Sequence, residues 1–117
     1  MITGERANFI AHDWVDALNQ RDLERVLRIY SDSVRHTTPC VTRSGKNHFT
    51  IRGKRSLRQY FAKTMQTRRS VFFEIEGIMT GVDSFSIIYK TNNRKKGLEV
   101  MFLDEEGKVY RSFAYYN

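Results

Sequence analysis

Three features are scarce in this 117-residue chain, and each scarcity excludes a class of protein. Cys40 is the only cysteine, which excludes a scaffold held by intrachain disulfides and suits a reducing compartment. One proline and seven glycines exclude collagen and low-complexity linkers. No apolar run approaches the roughly 18 residues that span a membrane, and charged residues such as Glu5 and Arg6 interrupt the N-terminal segment that a secretion signal would keep apolar. We therefore expect a cytoplasmic protein that is neither exported nor inserted in a membrane.

What the chain does contain is enough apolar surface for one folded unit. Hydrophobic residues make up 40% and aromatic residues 13% of the sequence, so residues 1–117 are predicted to form a single domain. A domain near this length buries roughly two thirds of its unfolded surface. That is enough for one core and one internal pocket.

The charge balance is basic. Lys and Arg number 20 against 13 Asp and Glu, a net charge of +7, which is compatible with an anionic partner. The basic clusters fall at predicted helix ends and turns without interleaved exposed aromatics or a groove-binding motif, so the sequence argues against nucleic acid. The acidic, His and Cys residues show no metal-ligand spacing, and no glycine motif for phosphate or dinucleotide binding is present. We expect no metal and no cofactor.

Hydrophobic periodicity predicts three helices. Between Thr3 and Asn19 the apolar residues recur at the helical spacing. Asp22 is a good N-cap for a second helix, in which the apolar period continues to Tyr30. Gly53 to Thr67 carries the third helical pattern.

Alternating patterns predict strands in the rest of the chain. Val34 to Thr38 alternates before Pro39, which cannot donate a ladder hydrogen bond, and this alternation places His36 on the face of Val34 and Thr38. Cys40 to Arg52 has no period and is predicted to be a loop. Four strand-like runs follow: Val71 to Thr80, Phe85 to Thr91, Leu98 to Leu103 and Val109 to Tyr116. The predicted fold class is α+β, with three helices packed on a mostly antiparallel sheet.

The last strands are apolar on both faces. Val109, Phe113 and Tyr115 are predicted to lie on the outer face of the last strand, and they alternate with residues that are themselves largely apolar. One face can cover the helices, but 117 residues offer no second cover for the other face. The pattern predicts a homodimer formed through the outer face of the sheet.

Four stretches carry a family resemblance: Trp14-Val15-x-Ala17-Leu18-Asn19-x-x-Asp22-Leu23, Tyr30-Ser31-Asp32-x-Val34 with Pro39 following, Gly53 at the third helix, and Gly107-Lys108-Val109 at the last strand. Through them the chain resembles, over almost its whole length, the nuclear transport factor 2-like superfamily, in particular its SnoaL-like and ketosteroid-isomerase-like members. The resemblance implies a cone, in which helices lie across a strongly curved sheet, an apolar pocket opens at one end, and dimers form through the outer sheet face.

The resemblance does not carry steroid isomerisation over to this chain. The position of the isomerase general base holds Thr38, whose hydroxyl cannot accept a proton near neutral pH. The tyrosine that donates to the oxyanion is replaced by Trp14, a far weaker acid. The position of the second oxyanion donor, a protonated acid, is Glu99, the one position retained in kind.

His36 and Glu99 are therefore the candidate catalytic pair, because both lie on strand faces with apolar neighbours. The Trp14 N–H and the Thr38 hydroxyl are the candidate orienting donors to the ligand. The alternative is a hydrogen-bonded polar lining without catalysis. Cys40 has no general base beside it in sequence and is expected to be an inert thiol. The candidate ligand-pocket residues, several of which are equally compatible with plain core, are Trp14, Tyr30, Thr38, Tyr60, Phe61, Phe85, Met101 and Tyr116.

The function expected from these residues is binding of a small, largely apolar organic molecule in the pocket of the cone. Acid/base chemistry of an isomerase, cyclase or hydrolase type is compatible with His36 and Glu99. The alternative is a non-catalytic dimeric interaction or assembly module whose cavity is filled by side chains. An open cavity favours the first expectation and a collapsed one favours the second.

Overall fold

A computed structural model describes residues 1–39 and 49–117 of the chain. Cys40 and most of the loop predicted after it lie outside the described residues. The elements are α1 (Gly4–Asn19), α2 (Leu23–Arg28), β1 (Tyr30–Thr37), β2 (Thr50–Arg52), α3 (Lys54–Thr67), β3 (Phe73–Thr80), β4 (Ser84–Thr91), β5 (Lys96–Leu103) and β6 (Val109–Tyr116). The fold is α+β, with helices packed on a mostly antiparallel sheet, as the sequence predicts.

Side-chain caps fix the starts of the first two helices. The Thr3 hydroxyl accepts a hydrogen bond from the backbone N–H of Arg6, and the Asp22 carboxylate accepts one from Arg25. The second helix ends at Arg28, before the predicted pattern does. Tyr30 instead opens β1 and is fully buried, so its apolar period reflects burial in a strand.

The sheet has six strands in the order β2-β1-β6-β5-β4-β3. Every neighbouring pair is antiparallel except β1 and β6, which run parallel. The prediction of a loop as far as Arg52 is wrong at its end, because Thr50–Arg52 forms the edge strand β2 against β1. Three residues are too few to show a period-2 pattern in the sequence.

A bulge in β6 corrects one predicted side-chain orientation. Phe102 of β5 pairs with Arg111, but its neighbour Leu103 pairs with Val109, so Tyr110 is an extra residue on β6. The extra residue reverses the alternation at that point. Val109 is consequently fully buried in the core, whereas it was predicted on the outer face beside Phe113.

The helices cover the inner face of the sheet and form one core with it. Residues of α1, α2 and α3 belong to the same buried cluster as residues of the strands, among them Trp14, Leu27, Leu57 and Ile87. None of the helices in residues 1–39 and 49–117 is long and apolar enough to cross a membrane.

The outer face of the central strands carries the apolar surface on which the dimer prediction rests. Phe113 pairs with Val100 in register, and the ring of Phe102 lies 6.2 Å from that of Phe113 and 6.3 Å from that of Tyr110. Tyr115 continues the face with 55% of its surface exposed. We propose that a second copy of the chain covers this face, because no helix of the described chain lies on it.

A charge on this face should therefore dissociate the dimer. Phe113→Glu is expected to give a monomer, because burying a carboxylate without a partner costs several kcal/mol. Val82→Glu is the matched control, since Val82 is 74% exposed in the turn between β3 and β4. Sedimentation velocity at micromolar concentration measures the mass. A monomeric unmodified protein, or a dimer that tolerates Phe113→Glu, contradicts the proposal.

Candidate functional site

A cavity of about 270 Å³ lies between the inner face of the sheet and helices α1 and α3. Its inner wall is mainly apolar and aromatic, from Leu18 on α1 through Phe61 on α3 to Phe73 and Tyr89 on the sheet. Its other end is formed by residues that are exposed to solvent, in the link after α3, the turn between β4 and β5, and the end of β6. The cavity is thus an apolar chamber with one polar mouth.

The absence of a side chain at Gly97 shapes one wall of this chamber. Gly97 pairs with Tyr89 across β4 and β5, and a Cβ on Gly97 would lie only 2.4 Å from the Tyr89 hydroxyl oxygen. The Tyr89 ring therefore lies across the strand at this point. It contacts Phe73 at 5.3 Å and Trp14 at 6.0 Å between ring centroids, both edge-on.

His36 reaches the wall of the cavity from β1. The parallel pairing of β1 with β6 places Ser112 beside it, and the His36 Nδ1 atom lies 2.6 Å from the Ser112 Oγ atom. His36 is only 3% exposed, and burial lowers its pKa from the usual 6.5 to about 4. The imidazole is neutral across the physiological range.

Glu99 reaches the same wall from β5. It is 2% exposed, and burial raises the pKa of its carboxyl well above the usual range. Its Oε1 atom has no hydrogen-bond partner among the residues that the structure describes, and the nearest cationic-capable atom, Nδ1 of His36, is 3.5 Å away. That distance is longer than a normal hydrogen bond, and burial favours the neutral form of each group.

Trp14 and Tyr30 form a buried hydrogen bond behind this pair. The indole N–H of Trp14 donates to the Tyr30 hydroxyl oxygen at 3.0 Å. Burial raises the pKa of Tyr30 well above its usual value. The Trp14 N–H is therefore committed to the protein, whereas the sequence suggested it as a donor to a ligand.

The structure separates the predicted pocket residues into two groups. Trp14, His36, Tyr60, Phe61, Glu99 and Tyr116 line the cavity. Tyr30, Thr38, Phe85 and Met101 are not among the described residues that line it, and each is at most 2% exposed. Phe85 and Met101 pair with each other further along the sheet than Glu99, at the end that core side chains fill. Contact of the first group with a ligand stays a prediction.

The mouth was missed as a site by sequence reasoning. Arg21, Arg68, Lys95 and Lys96 line it. The last three belong to basic clusters that the sequence places at a helix end and a turn, whereas Arg21 stands outside these clusters. No sequence period links Arg21 to residues that follow α3, because the contact is made across the fold. Within residues 1–39 and 49–117, no group of three or more His, Cys, Asp or Glu side chains is arranged to hold a metal.

Residues 11–110 match the family model of the SnoaL-like domain. Among curated proteins, no sequence matches the chain. A solved SnoaL-like protein of unknown function from Burkholderia thailandensis is 26% identical, with a TM-score of 0.93 over 100% of this chain and 99% of that one.

More distant structures share the fold. SalBIII, an epoxide hydrolase/cyclase-like enzyme with a role in pyran ring formation in the polyether salinomycin, has 16% identity and a TM-score of 0.77 over 100% of this chain and 95% of its own. A proposed isomerase of the SnoaL-like family from Agrobacterium tumefaciens has 14% identity and a TM-score of 0.77 over 97% and 98% of the two chains.

The buried carboxyl should make folding depend on pH in a definite direction. The folded-state pKa of Glu99 is raised, so its contribution to stability is present below its unfolded pKa and is lost as the pH rises toward the folded pKa. His36 acts oppositely, because its contribution is lost as the pH falls from 6.5 to about 4. Relative to Glu99→Gln, the unmodified protein is expected to lose unfolding free energy as the pH rises above 4.5, the usual pKa of the carboxyl, by up to about 1.4 kcal/mol per pH unit.

Urea unfolding across this range measures the difference. Glu105→Gln, in the exposed turn between β5 and β6, is the control and should follow the unmodified protein. Parallel curves for the unmodified protein and Glu99→Gln would mean that Glu99 is ionised and solvated in the folded state.

Closing the space at Gly97 should deform the cavity. Gly97→Ala forces Tyr89 to move, because the added Cβ would overlap its ring, and we expect a loss of roughly 1–3 kcal/mol in unfolding free energy. The movement also changes the surroundings of Trp14, the only tryptophan, so its fluorescence should shift. Gly4→Ala is the control because its Cβ meets no atom within 4 Å. Unchanged stability and fluorescence in Gly97→Ala contradict this account of the wall.

Proposed function

The chain belongs to the SnoaL-like family, and on that premise we propose that its cavity binds a small, largely apolar organic molecule, with Glu99 and His36 exchanging protons with it. The observation that carries the proposal is the pair itself. A neutral carboxyl and a neutral imidazole, 3.5 Å apart, both line a cavity whose remaining inner wall is mainly apolar. Perturbed ionisable groups in a cavity of this kind mark candidate sites of proton transfer.

The apolar wall selects the body of the ligand. Side chains such as Phe61, Phe73 and Leu18 offer no hydrogen bonds, so a polar ligand would lose its water contacts without compensation. Against this background the carboxyl of Glu99 is a specific partner. In its protonated form it can donate to one oxygen atom of the ligand, such as a carbonyl or ether oxygen.

The proximity of the two groups couples their protons. When Glu99 gives its proton to the ligand oxygen, it becomes a carboxylate 3.5 Å from the His36 ring. A negative charge at that distance raises the pKa of His36 and makes it a stronger base. His36 can then accept a proton from a C–H or O–H group of the same ligand, so that one proton enters the ligand and one leaves it.

Ser112 has a positioning role in this scheme. If the Nδ1–H of His36 donates to the Ser112 hydroxyl oxygen, the Nε2 atom carries the lone pair that accepts the proton. The hydrogen bond also holds the ring orientation, since Ser112 is fully buried on β6. The proposal requires this tautomer.

Proton exchange of this kind suits the chemistry named for two related structures. Isomerisation, epoxide opening and ring closure all require a proton to be given to an oxygen or carbon atom and another to be removed. SalBIII is described as epoxide hydrolase/cyclase-like, and the Agrobacterium tumefaciens protein as a proposed isomerase. Both support acid/base chemistry in this chain, although neither indicates its substrate.

The test uses a neutral ketone, 1-decalone, as the probe. Trp14 is the only tryptophan and lines the cavity, so a saturable change in its fluorescence reports binding there. Exchange of the protons next to the carbonyl for deuterium, followed by mass spectrometry in heavy water, reports proton transfer. We expect both signals for the unmodified protein.

Two variants separate binding from chemistry. Glu99→Gln and His36→Asn should each lower the exchange rate by about 100-fold or more, because a positioned acid or base contributes about that much. Binding of the ketone should change far less, while Glu105→Gln should leave both signals unchanged. Binding without exchange would leave a non-catalytic binding protein, and the absence of a fluorescence change would favour the assembly module.

A further inference from the structure

We propose that the ligand of this cavity is an organic carboxylate, whose apolar body occupies the chamber and whose anionic group lies at the mouth between Arg68 and Lys95. The inference rests on the proposed binding function and adds the class of ligand. It starts from the sign of the charges along the wall. Apart from His36 and Glu99, every side chain of known charge at neutral pH among the described lining residues is a cation.

The cationic side chains of the mouth differ in whether they already have a hydrogen-bond or ion-pair partner. Lys96 lies 3.7 Å from the Glu76 carboxylate, and the guanidinium of Arg21 donates to backbone carbonyls. For the guanidinium of Arg68 and the ammonium of Lys95, the described part of the chain provides no hydrogen bond or ion pair. Two cations that line the mouth are therefore available to an anion.

Arg21 removes the groups that would repel an anion at this place. Helices α1 and α3 both end at the mouth, and the C-terminal end of a helix carries a partial negative charge on its carbonyl oxygens. The Arg21 guanidinium donates to the carbonyl oxygen of Leu18 at 2.9 Å and to that of Asn19 at 3.3 Å. It also donates to the oxygens of Arg68 at 2.9 Å and Val71 at 2.6 Å. The guanidinium thus offsets the partial negative charge at the end of α1 and pairs with carbonyl oxygens that follow α3.

Hydrogen bonds hold the backbone segments that carry Arg68 and Lys95. Lys95 follows the turn between β4 and β5, and Asn92 of that turn is bonded to the segment after α3. The Asn92 amide donates to the Ser70 carbonyl oxygen at 2.8 Å and accepts from the Phe72 N–H at 3.0 Å. This segment follows Arg68 directly. These hydrogen bonds therefore join the two backbone segments from which the Arg68 and Lys95 side chains extend.

A carboxylate fits this mouth better than a phosphate ester. A phosphate is usually held by several backbone N–H groups at a glycine-rich loop or a helix N-terminus. The described mouth instead holds helix C-termini, and two single cations match one delocalised negative charge. The apolar chamber behind it requires the rest of the ligand to be hydrophobic.

Two probes of equal shape test the inference. The acid is 4-phenylbutanoate and its neutral counterpart is 4-phenylbutanamide, both titrated against Trp14 fluorescence at pH 7. We expect the acid to bind about tenfold more tightly than the amide, as two partly solvated ion pairs allow. The preference should shrink as salt rises from about 20 to about 200 mM, because salt screens exposed charges.

The double variant Arg68→Gln/Lys95→Gln should abolish the preference by weakening the acid and leaving the amide unchanged. Arg69→Gln/Arg94→Gln is the matched control, since it removes the same charge from the adjacent positions, which do not line the cavity. Equal affinities of acid and amide for the unmodified protein, or an equal loss in the control, overturn the inference while the proposed binding function survives. If neither probe alters the fluorescence, the binding function itself fails.

Discussion

The burial of one carboxyl and one imidazole against an apolar wall is the constraint on which the candidate site depends. Neither Glu99 nor His36 is more than 3% exposed, and desolvation drives both toward their neutral forms. Ser112 and the Trp14–Tyr30 hydrogen bond are consequences of the same constraint, because polar groups buried beside the pair must find partners. The Glu99 Oε1 atom is the exception. Leaving a buried acceptor unpaired costs about 1–3 kcal/mol, a cost that a ligand hydrogen bond would remove.

The two ends of the sheet differ, because core side chains fill one end and the cavity opens at the other. At one end of the sheet, Phe85 and Met101 belong to the buried core and fill the space between strands and helices. At the other end, Gly97 leaves room for the Tyr89 ring and the cavity stays open. Arg21 holds the open end together, because its guanidinium bridges the last carbonyls of α1 and the chain after α3. The Asn92 amide adds hydrogen bonds between the turn after β4 and the same segment.

The sequence predicts the architecture well because its elements are long and periodic. Three helices, the meander and the inward orientation of His36 and Glu99 follow from 3.6-residue and 2-residue periods. Two details do not. The three-residue strand β2 is too short to carry a period, and the β6 bulge reverses the alternation so that Val109 points inward. The mouth is also unpredictable, because Arg21 meets carbonyls about 50 positions away in the chain.

The two positions that the family resemblance assigns to the isomerase base and donor, Thr38 and Trp14, have other surroundings in this fold. Thr38 lies just beyond the end of β1, is fully buried, and is not among the described residues that line the cavity. The indole N–H of Trp14 donates to the Tyr30 hydroxyl oxygen. The proposed proton transfer therefore relies on the two ionisable side chains His36 and Glu99 on the cavity wall. His36 on β1 and Glu99 on β5 are brought together by strand β6, which pairs with both strands and places Ser112 beside one and Ala114 beside the other.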